Sequence, residues 1–187
     1  LVPASIVSAA TAVMLSPRVI PAIATAAVIA AAFVIPRWDP ELMASGAYKY
    51  APYYTSNFDL ESILKSGELI YFKEGATTTV SAKRFRGDVM LAVDGKVDAA
   101  DSGDMTTQKM LGHLPLLLSK DPKNVAVIGL GSGVTAGAVL RYPIEALDVI
   151  EISPEVAEAS QFFNHVNNRA LEDPRTRLII GDGRNHL

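Results

Sequence analysis

An alternation of apolar strands and helices between residues 124 and 180 constrains the fold of this chain more than any other feature. Three continuous apolar or β-branched runs predict strands buried on both faces, over residues 124–128, 146–152 and 178–180. Helices are predicted between them, over residues 134–140 and from Pro154 towards Asn164 with Ser153 as N-cap. This order predicts an α/β fold, the first half of a doubly wound, Rossmann-like parallel sheet.

A glycine-rich turn, residues 129–133, joins the first strand to its helix. Glycines there permit positive φ and close approach of a ligand to the backbone. Glu151 ends the second strand, where a carboxylate can accept hydrogen bonds from both ribose hydroxyls, and Asp182 follows the third strand, where an adenine edge would lie. The sequence thus predicts a nucleoside site made by Gly129, Gly131, Ser132, Gly133, Glu151, Asp182 and Gly183.

The spacing of the glycines favours one class of cofactor. Dinucleotide sites prefer a glycine at the sixth position of G-x-G-x-x-G, and Val134 stands there. The pattern G-x-G-x-G with Glu151 is more typical of S-adenosyl ligands. Ser132 is not the nucleophile of a hydrolase elbow, because Leu130 and Val134 stand where that motif needs glycines.

The first 37 residues predict a membrane segment. Arg18 is the single charge among residues 1–36, and residues 19–35 are 17 uncharged residues, which nearly suffice to cross about 30 Å of hydrocarbon. Ser16-Pro17-Arg18 suits a turn between two transmembrane helices. We expect a multi-pass protein of the bacterial inner membrane, and the slight excess of cations at Arg37 and Lys49 predicts that its globular part lies in the cytoplasm.

The remaining residues divide into three predicted segments. An aperiodic connector (38–67), with a short helix over 59–65, precedes a small β-domain plus helix (68–122) and the Rossmann-like domain (123–187). Antiparallel strands are predicted over 68–72, 77–83 and 88–93, and a helix over 104–119. The chain begins with Leu inside an apolar run and ends soon after its third parallel strand, so we expect a fragment truncated at both ends.

Composition excludes several functions. A net charge of −3 provides no basic excess for phosphate neutralisation, so nucleic acid is not expected as a partner. The chain has no cysteine and three scattered histidines, which argues against a metal site. His113 is expected to pack internally and His165 to lie exposed on a helix.

Several motifs together resemble the spermidine synthase family in the form fused to a membrane domain. The resemblance covers about residues 68–187 and rests on the segments 71–75, 91–95, 112–116, 129–133, 149–152, 173–175 and 181–183. It implies a small β-domain before a Rossmann-like domain. It also implies transfer of an aminopropyl group from decarboxylated S-adenosylmethionine to a diamine, without a metal.

The resemblance also assigns residues. It implies that Glu151 holds the ribose, that Asp182 and Gly183 hold the adenine, and that Gln108 contacts ligand. Its general base is an aspartate after the fourth strand, beyond Leu187. Asp98, Asp101 and Asp104 fit either an acidic wall for a cationic substrate, with Asp104 in contact, or a solvated turn.

The chain departs from the family at positions 98, 107, 109 and 132. Ser132 stands where the family has an acid that pairs with the donor's amine, which predicts weaker discrimination between decarboxylated and intact S-adenosylmethionine than in relatives with that acid. Three hypotheses remain open: a membrane-anchored aminopropyltransferase with a small amine substrate, a methyltransferase, and a transporter with a domain that senses an adenosyl ligand. Membrane lipid is an expected partner, and homo-oligomerisation is left open.

Overall fold

The protein is described from a computed structural model over residues 6–11, 19–34, 38–53 and 59–186. It divides into two compact units, Leu1–Asp39 and Pro40–Leu187. The N-terminal unit is helical over residues 6–11 and over helix α1, Val19–Val34. The Thr25 hydroxyl of α1 donates a hydrogen bond to the Ala9 carbonyl at 2.9 Å, so these two segments lie side by side.

The length of α1 bears on the predicted transmembrane hairpin. Its 16 residues correspond to about 24 Å of helix, against roughly 30 Å of hydrocarbon. Within the described parts of the chain, we find no helix long and apolar enough to cross a membrane. The transmembrane hairpin is therefore not supported by the structure. Its proposed turn, Ser16-Pro17-Arg18, and Arg37 lie outside the described residues.

The connector is more ordered than its aperiodic sequence predicts. Its described residues, 38–53 and 59–67, contain three short helices and a 3-10 turn: α2 (Pro40–Met43), α3 (Ala47–Tyr50), Ala51–Tyr53 and α4 (Leu60–Leu64). Gly46 precedes α3 with φ +62°, and a β-carbon there would lie 2.0 Å from the Gly95 carbonyl oxygen. The backbone of the connector thus packs directly on a β-turn. Helices of four residues are too short to leave a periodic pattern, which is why α2 and α3 were not predicted.

An antiparallel meander of four strands follows, paired in chain order. The strands are β1 (Glu68–Glu74), β2 (Thr79–Phe85), β3 (Asp88–Val93) and β4 (Lys96–Ala100). The first three confirm the prediction. The fourth was missed, because Lys96 and Asp98 interrupt its apolar pattern. Asp94 and Gly95, with φ +50° and +75°, form the two-residue turn between β3 and β4.

The predicted half of a doubly wound sheet is confirmed. Helix α5 (Met105–Leu118) leads into three parallel strands in the order β5-β6-β7, which are Asn124–Ile128, Ala146–Glu151 and Thr176–Ile180. Helix α6 (Val134–Val139) connects the first two. The helix predicted from Pro154 towards Asn164 is broken into α7 (Pro154–Ala159), a 3-10 turn (Ser160–Phe163) and α8 (Asn164–Asn167).

A single hydrophobic core joins the meander to the parallel sheet. Fully or nearly fully buried members come from both, including Val80, Leu91, Val139, Leu147, Val149 and Phe163. A polar contact supplements it at the surface: Glu158 of α7 accepts a hydrogen bond from the Tyr71 hydroxyl at 2.9 Å and pairs with Lys73 at 2.6 Å. The meander and the parallel sheet are therefore packed as parts of one unit.

Helix α6 and Asn167 approach each other unusually closely. A β-carbon on Gly137 would lie 2.2 Å from the Asn167 carbonyl oxygen. The Asn167 side chain is 2% exposed, and its amide donates to the carbonyls of Ser132 at 2.8 Å and Ser160 at 3.1 Å. The absence of a side chain at Gly137 thus lets Asn167 come close enough for its buried amide to bond the glycine-rich turn.

We predict that Gly137→Ala destabilises the protein, although alanine favours helices, because the added methyl must displace backbone. The free energy of unfolding should fall by about 1–3 kcal/mol, measured by urea denaturation. Gly103→Ala is the matched control, since no atom lies within 4 Å of the place that its methyl group would occupy, and it should change stability by less than about 0.5 kcal/mol. Equal stability of the two variants would contradict the close packing described here.

Candidate functional site

The carboxyl ends of the three parallel strands enclose a pocket of about 250 Å³. Four predicted site residues line it: Gly129, Glu151, Asp182 and Gly183. The rest of the lining is Ile128, Ile150, Ile152 and Gly181. Sequence reasoning missed the isoleucines, although their positions at or next to the strand ends could have indicated them. The pocket combines an apolar wall with two carboxylates, as the edge of a doubly wound sheet is expected to do.

The glycine-rich turn adopts a backbone that its three glycines permit. Gly129, Gly131 and Gly133 have φ of +86°, +56° and +79°, in the left-handed region. The Gly129 N–H donates to the Ile150 carbonyl at 2.8 Å, which continues the pairing of β5 with β6 into the turn.

Glu151 is buried, with 7% exposure, and both of its carboxylate oxygens accept backbone hydrogen bonds. The Leu130 N–H donates to Oε2 at 2.8 Å, and the Ser153 N–H donates to Oε1 at 2.9 Å. One side chain therefore ties the glycine-rich turn to the start of α7. A carboxylate has about four acceptor positions, so two stay free for a ligand diol.

Asp182 follows β7 and faces the same pocket. Its carboxylate accepts from the Arg184 N–H at 3.0 Å and pairs with the Arg184 guanidinium. These hydrogen bonds lower the pKa of Asp182 below its ordinary value, so the side chain is an acceptor at neutral pH. The next residue must be small, because a β-carbon on Gly183 would lie 2.8 Å from Cγ2 of Ile128.

Gly131, Ser132 and Gly133 do not line the pocket. Ser132 is 1% exposed, and its hydroxyl donates to Oε1 of Gln108. It also accepts from the Val134 N–H at 3.3 Å. The Ser132 hydroxyl thus bonds inside the protein, whereas the sequence predicted that it would contact the donor.

Gln108 is also bound internally. Its side-chain amide donates to the Ala100 carbonyl at 2.8 Å, and its backbone carbonyl accepts from the Thr135 hydroxyl at 2.9 Å. Together with Ser132 it fastens α5 to the glycine-rich turn. Asn167, the last residue of α8, supports the same turn through its hydrogen bond to the Ser132 carbonyl. No signal in the sequence indicated that residue.

The three aspartates considered for an acidic wall each have a protein partner. Asp98 pairs with Lys96, and Asp101 pairs with His165 at 2.8 Å. Asp104 accepts from the Ala100 N–H at 3.2 Å. The three carboxylates therefore stabilise local structure and do not form a free acidic surface.

Asp104 is the residue before α5 and Gln108 lies in its first turn, and neither lines the 250 Å³ pocket. A larger pocket of about 540 Å³ lies between the connector and the small meander. Its lining is mostly apolar, with Lys83 as the charged side chain. It contains none of the predicted site residues.

Known proteins share this arrangement. Residues 104–187 match the family described as "Spermine/spermidine synthase domain". The polyamine aminopropyltransferase of Archaeoglobus fulgidus is 34% identical over 98 residues, which are 52% of this chain and 36% of that protein. The crystal structure of spermidine synthase from Thermotoga maritima superposes with a TM-score of 0.59 at 26% identity, over 64% of this chain and 42% of that one.

Residues 104–187 are therefore similar to the spermine/spermidine synthase family. A second solved spermidine synthase, in complex with the transition state analogue AdoDATO, is equally similar, with a TM-score of 0.59. Putrescine N-methyltransferase 2 of Nicotiana tabacum is 38% identical over 95 residues, 50% of this chain and 27% of that protein. The chain thus spans about a third or less of the lengths of these curated relatives.

The spermine/spermidine synthase match begins at Asp104 and therefore contains α5 and the whole parallel sheet. All seven residues predicted for the nucleoside site fall within it. Among the described residues, no group of three or more histidine or acidic side chains is arranged to hold a metal ion.

Proposed function

We propose that this chain is part of a transferase that binds an adenosyl sulfonium donor at the carboxyl edge of its parallel sheet and alkylates a small amine. The observation that carries the proposal is the convergence of Glu151 and Asp182 on one pocket beside a positive-φ glycine turn. The match of residues 104–187 to the spermine/spermidine synthase domain supports aminopropyl transfer from decarboxylated S-adenosylmethionine to a diamine.

The lining fits an adenosyl group part by part. The two free acceptor positions of Glu151 suit the ribose diol. The carboxylate of Asp182, now paired with the exposed Arg184 guanidinium, would accept from the exocyclic amine of adenine in place of that partner. Ile128 and Ile152 are 57% and 61% exposed beside them and offer apolar surface to a purine ring. Burial of that exposed surface by a ring would add favourable free energy to binding.

The donor supplies an alkyl carbon made electrophilic by its sulfonium sulfur. In the proposed reaction the amine nitrogen forms a bond to that carbon, the carbon–sulfur bond breaks, and the thioether leaves with the electron pair. The nitrogen must also lose a proton to a base. The family resemblance assigns that base to the segment beyond Leu187, so the role of the described residues is to bind and orient the donor.

Methyl transfer is the second candidate, and two observations favour it. Putrescine N-methyltransferases are among the relatives with 38% identity. In addition, the carboxylates that line the pocket, Glu151 and Asp182, both lie at the proposed nucleoside end. Ser132, which lies outside this pocket lining, supplies no charge where the resemblance expects an acid that would repel the carboxylate of intact S-adenosylmethionine.

Glu151→Ala should weaken binding of 5′-methylthioadenosine by about 1–3 kcal/mol, the usual loss for a charged hydrogen-bond partner. Calorimetry on the intact protein measures this. Glu155→Ala is the matched control, because Glu155 is also buried and accepts a hydrogen bond from Ser153 at 2.8 Å but does not line the pocket. If both folded variants bind like the wild type, the proposed site is wrong.

Donor preference should separate the two candidates. We expect the wild type to bind intact and decarboxylated S-adenosylmethionine within about tenfold of each other, a difference of no more than about 1.4 kcal/mol. Ser132→Asp should shift the ratio towards the decarboxylated donor through like-charge repulsion, and Ser132→Ala should not. Competition binding against 5′-methylthioadenosine reports the ratio. Strong rejection of the intact donor by the wild type would place the selecting group elsewhere.

Membrane attachment, with the globular part in the cytoplasm, is a separate proposal. Residues 19–35 are uncharged, and Phe33 and Val34 of α1 are 87% and 79% exposed. The complete chain should stay in the membrane fraction after alkaline carbonate washing, whereas a chain beginning at Trp38 should appear in the supernatant. Release of both forms would exclude residues 1–37 as an anchor.

A further inference from the structure

A second pocket, which we call the basic pocket, lies among α5, α6 and α8. Its volume is about 370 Å³, and four basic side chains line it: Lys109, His113, Arg141 and His165. The other lining residues are Val134, Ala138, Val166 and Asn168. It shares no lining residue with the pocket at the strand ends.

The basic pocket is positively charged, whereas the whole chain has a net charge of −3. Most described cations are neutralised, as in the pairs Arg84–Glu68, Lys73–Glu158 and Arg177–Asp148. Within the described residues, the charged side chains of Lys109, Lys120 and Arg141 have no hydrogen bond, ion pair or ring contact from the protein. Two of these three cations therefore face one cavity.

No carboxylate lines the basic pocket in the part of the chain that the structure describes. Asp101 approaches it only through His165, to which it is bonded at 2.8 Å, and its side chain is 6% exposed. Val89 supplies the other partner of Asp101, an N–H at 2.8 Å from Oδ1. The aspartate therefore orients His165 and leaves the two free cations uncompensated.

Each of the two histidines uses one ring nitrogen in a hydrogen bond to the protein, which leaves the other nitrogen available to a ligand. His113 uses Nδ1 with the Tyr142 hydroxyl at 3.1 Å, so Nε2 is not engaged there. His165 uses Nε2 with Asp101, so Nδ1 is not engaged in that pair. Each side chain is thus held in place from one side.

The donor set indicates the class of ligand. A lysine has three N–H donors and an arginine five, more than the two oxygens of a single carboxylate can accept in good geometry. Phosphoryl groups carry more acceptor oxygens and up to two charges each, and the arginine fork matches their spacing. A volume of about 370 Å³ is that of a small-molecule site, since such sites run from roughly 300 to 1,000 Å³.

We propose that the basic pocket binds a small phosphorylated molecule with at least two phosphoryl groups, at a site separate from the adenosyl site. Lys109 and Arg141 supply its permanent charges, and His113 and His165 supply hydrogen bonds. The proposal does not depend on which alkyl group the protein transfers.

Inorganic pyrophosphate is the probe, measured by calorimetry on the complete chain. We expect one molecule to bind per chain, and its Kd to rise at least tenfold in both Lys109→Glu and Arg141→Glu. Lys120→Glu is the matched control, because it makes the same charge change just beyond the end of α5 and outside the basic pocket. It should leave the Kd within twofold of wild type. Melting temperatures establish that all three variants are folded.

Two further results decide the location of the site. Saturating 5′-methylthioadenosine should not displace pyrophosphate, and Glu151→Ala should bind pyrophosphate like the wild type. Displacement would assign the anion to the glycine-rich turn and overturn the proposal. Absence of pyrophosphate binding, or an equal loss in Lys120→Glu, would overturn it as well, without bearing on the adenosyl site.

Discussion

The carboxylate of Glu151, which accepts N–H groups from Leu130 and Ser153, is the contact on which the edge of the parallel sheet depends. Burial of a charge is costly unless hydrogen bonds replace its water. Here the two backbone donors come from the loops after β5 and β6, so the same bonds that stabilise the charge also fix both loops. A ligand that uses the remaining acceptor positions meets a group that is already oriented, and little conformational entropy is lost when it binds.

The glycine-rich turn is held from three directions. Glu151 bonds the Leu130 N–H, Gln108 accepts from the Ser132 hydroxyl, and Asn167 donates to the Ser132 carbonyl. Its left-handed backbone costs glycine little, and the surrounding contacts select one conformation. Ser132 therefore contributes to the shape of the turn. An acid at this position would have to displace Gln108 or turn towards the pocket, because the Oε1 atom that now accepts from the serine would face another acceptor.

The sequence predicted the strand ends well, because a buried parallel strand is an apolar run and a polar residue at its end or just after it marks the edge of the sheet. Glu151 and Asp182 could be assigned on that basis alone. The burial of Ser132 could not, since its Gln108 partner lies 24 residues earlier and is brought close only by the packing of α5 on α6. Asn167 was missed for the same reason. Its role depends on the break between α7 and α8, and the continuous helical pattern after Ser153 concealed that break.

Consecutive residues of α5 connect the turn with the basic pocket. Gln108 bonds Ser132, and Lys109, the next residue, lines the pocket together with Val134, the first residue of α6. A molecule bound between α5 and α6 would restrain the two helices that carry the partners of the turn. Such binding can change affinity for a donor only by the difference in its own affinity for the two arrangements of these helices. Since Asn167 and Glu151 hold the turn independently of α5, movement of α5 alone would leave two of its three supports in place. Any coupling through α5 would therefore act on the hydrogen bond between Ser132 and Gln108, while the hydrogen bond from the Leu130 N–H to Glu151 would be unchanged.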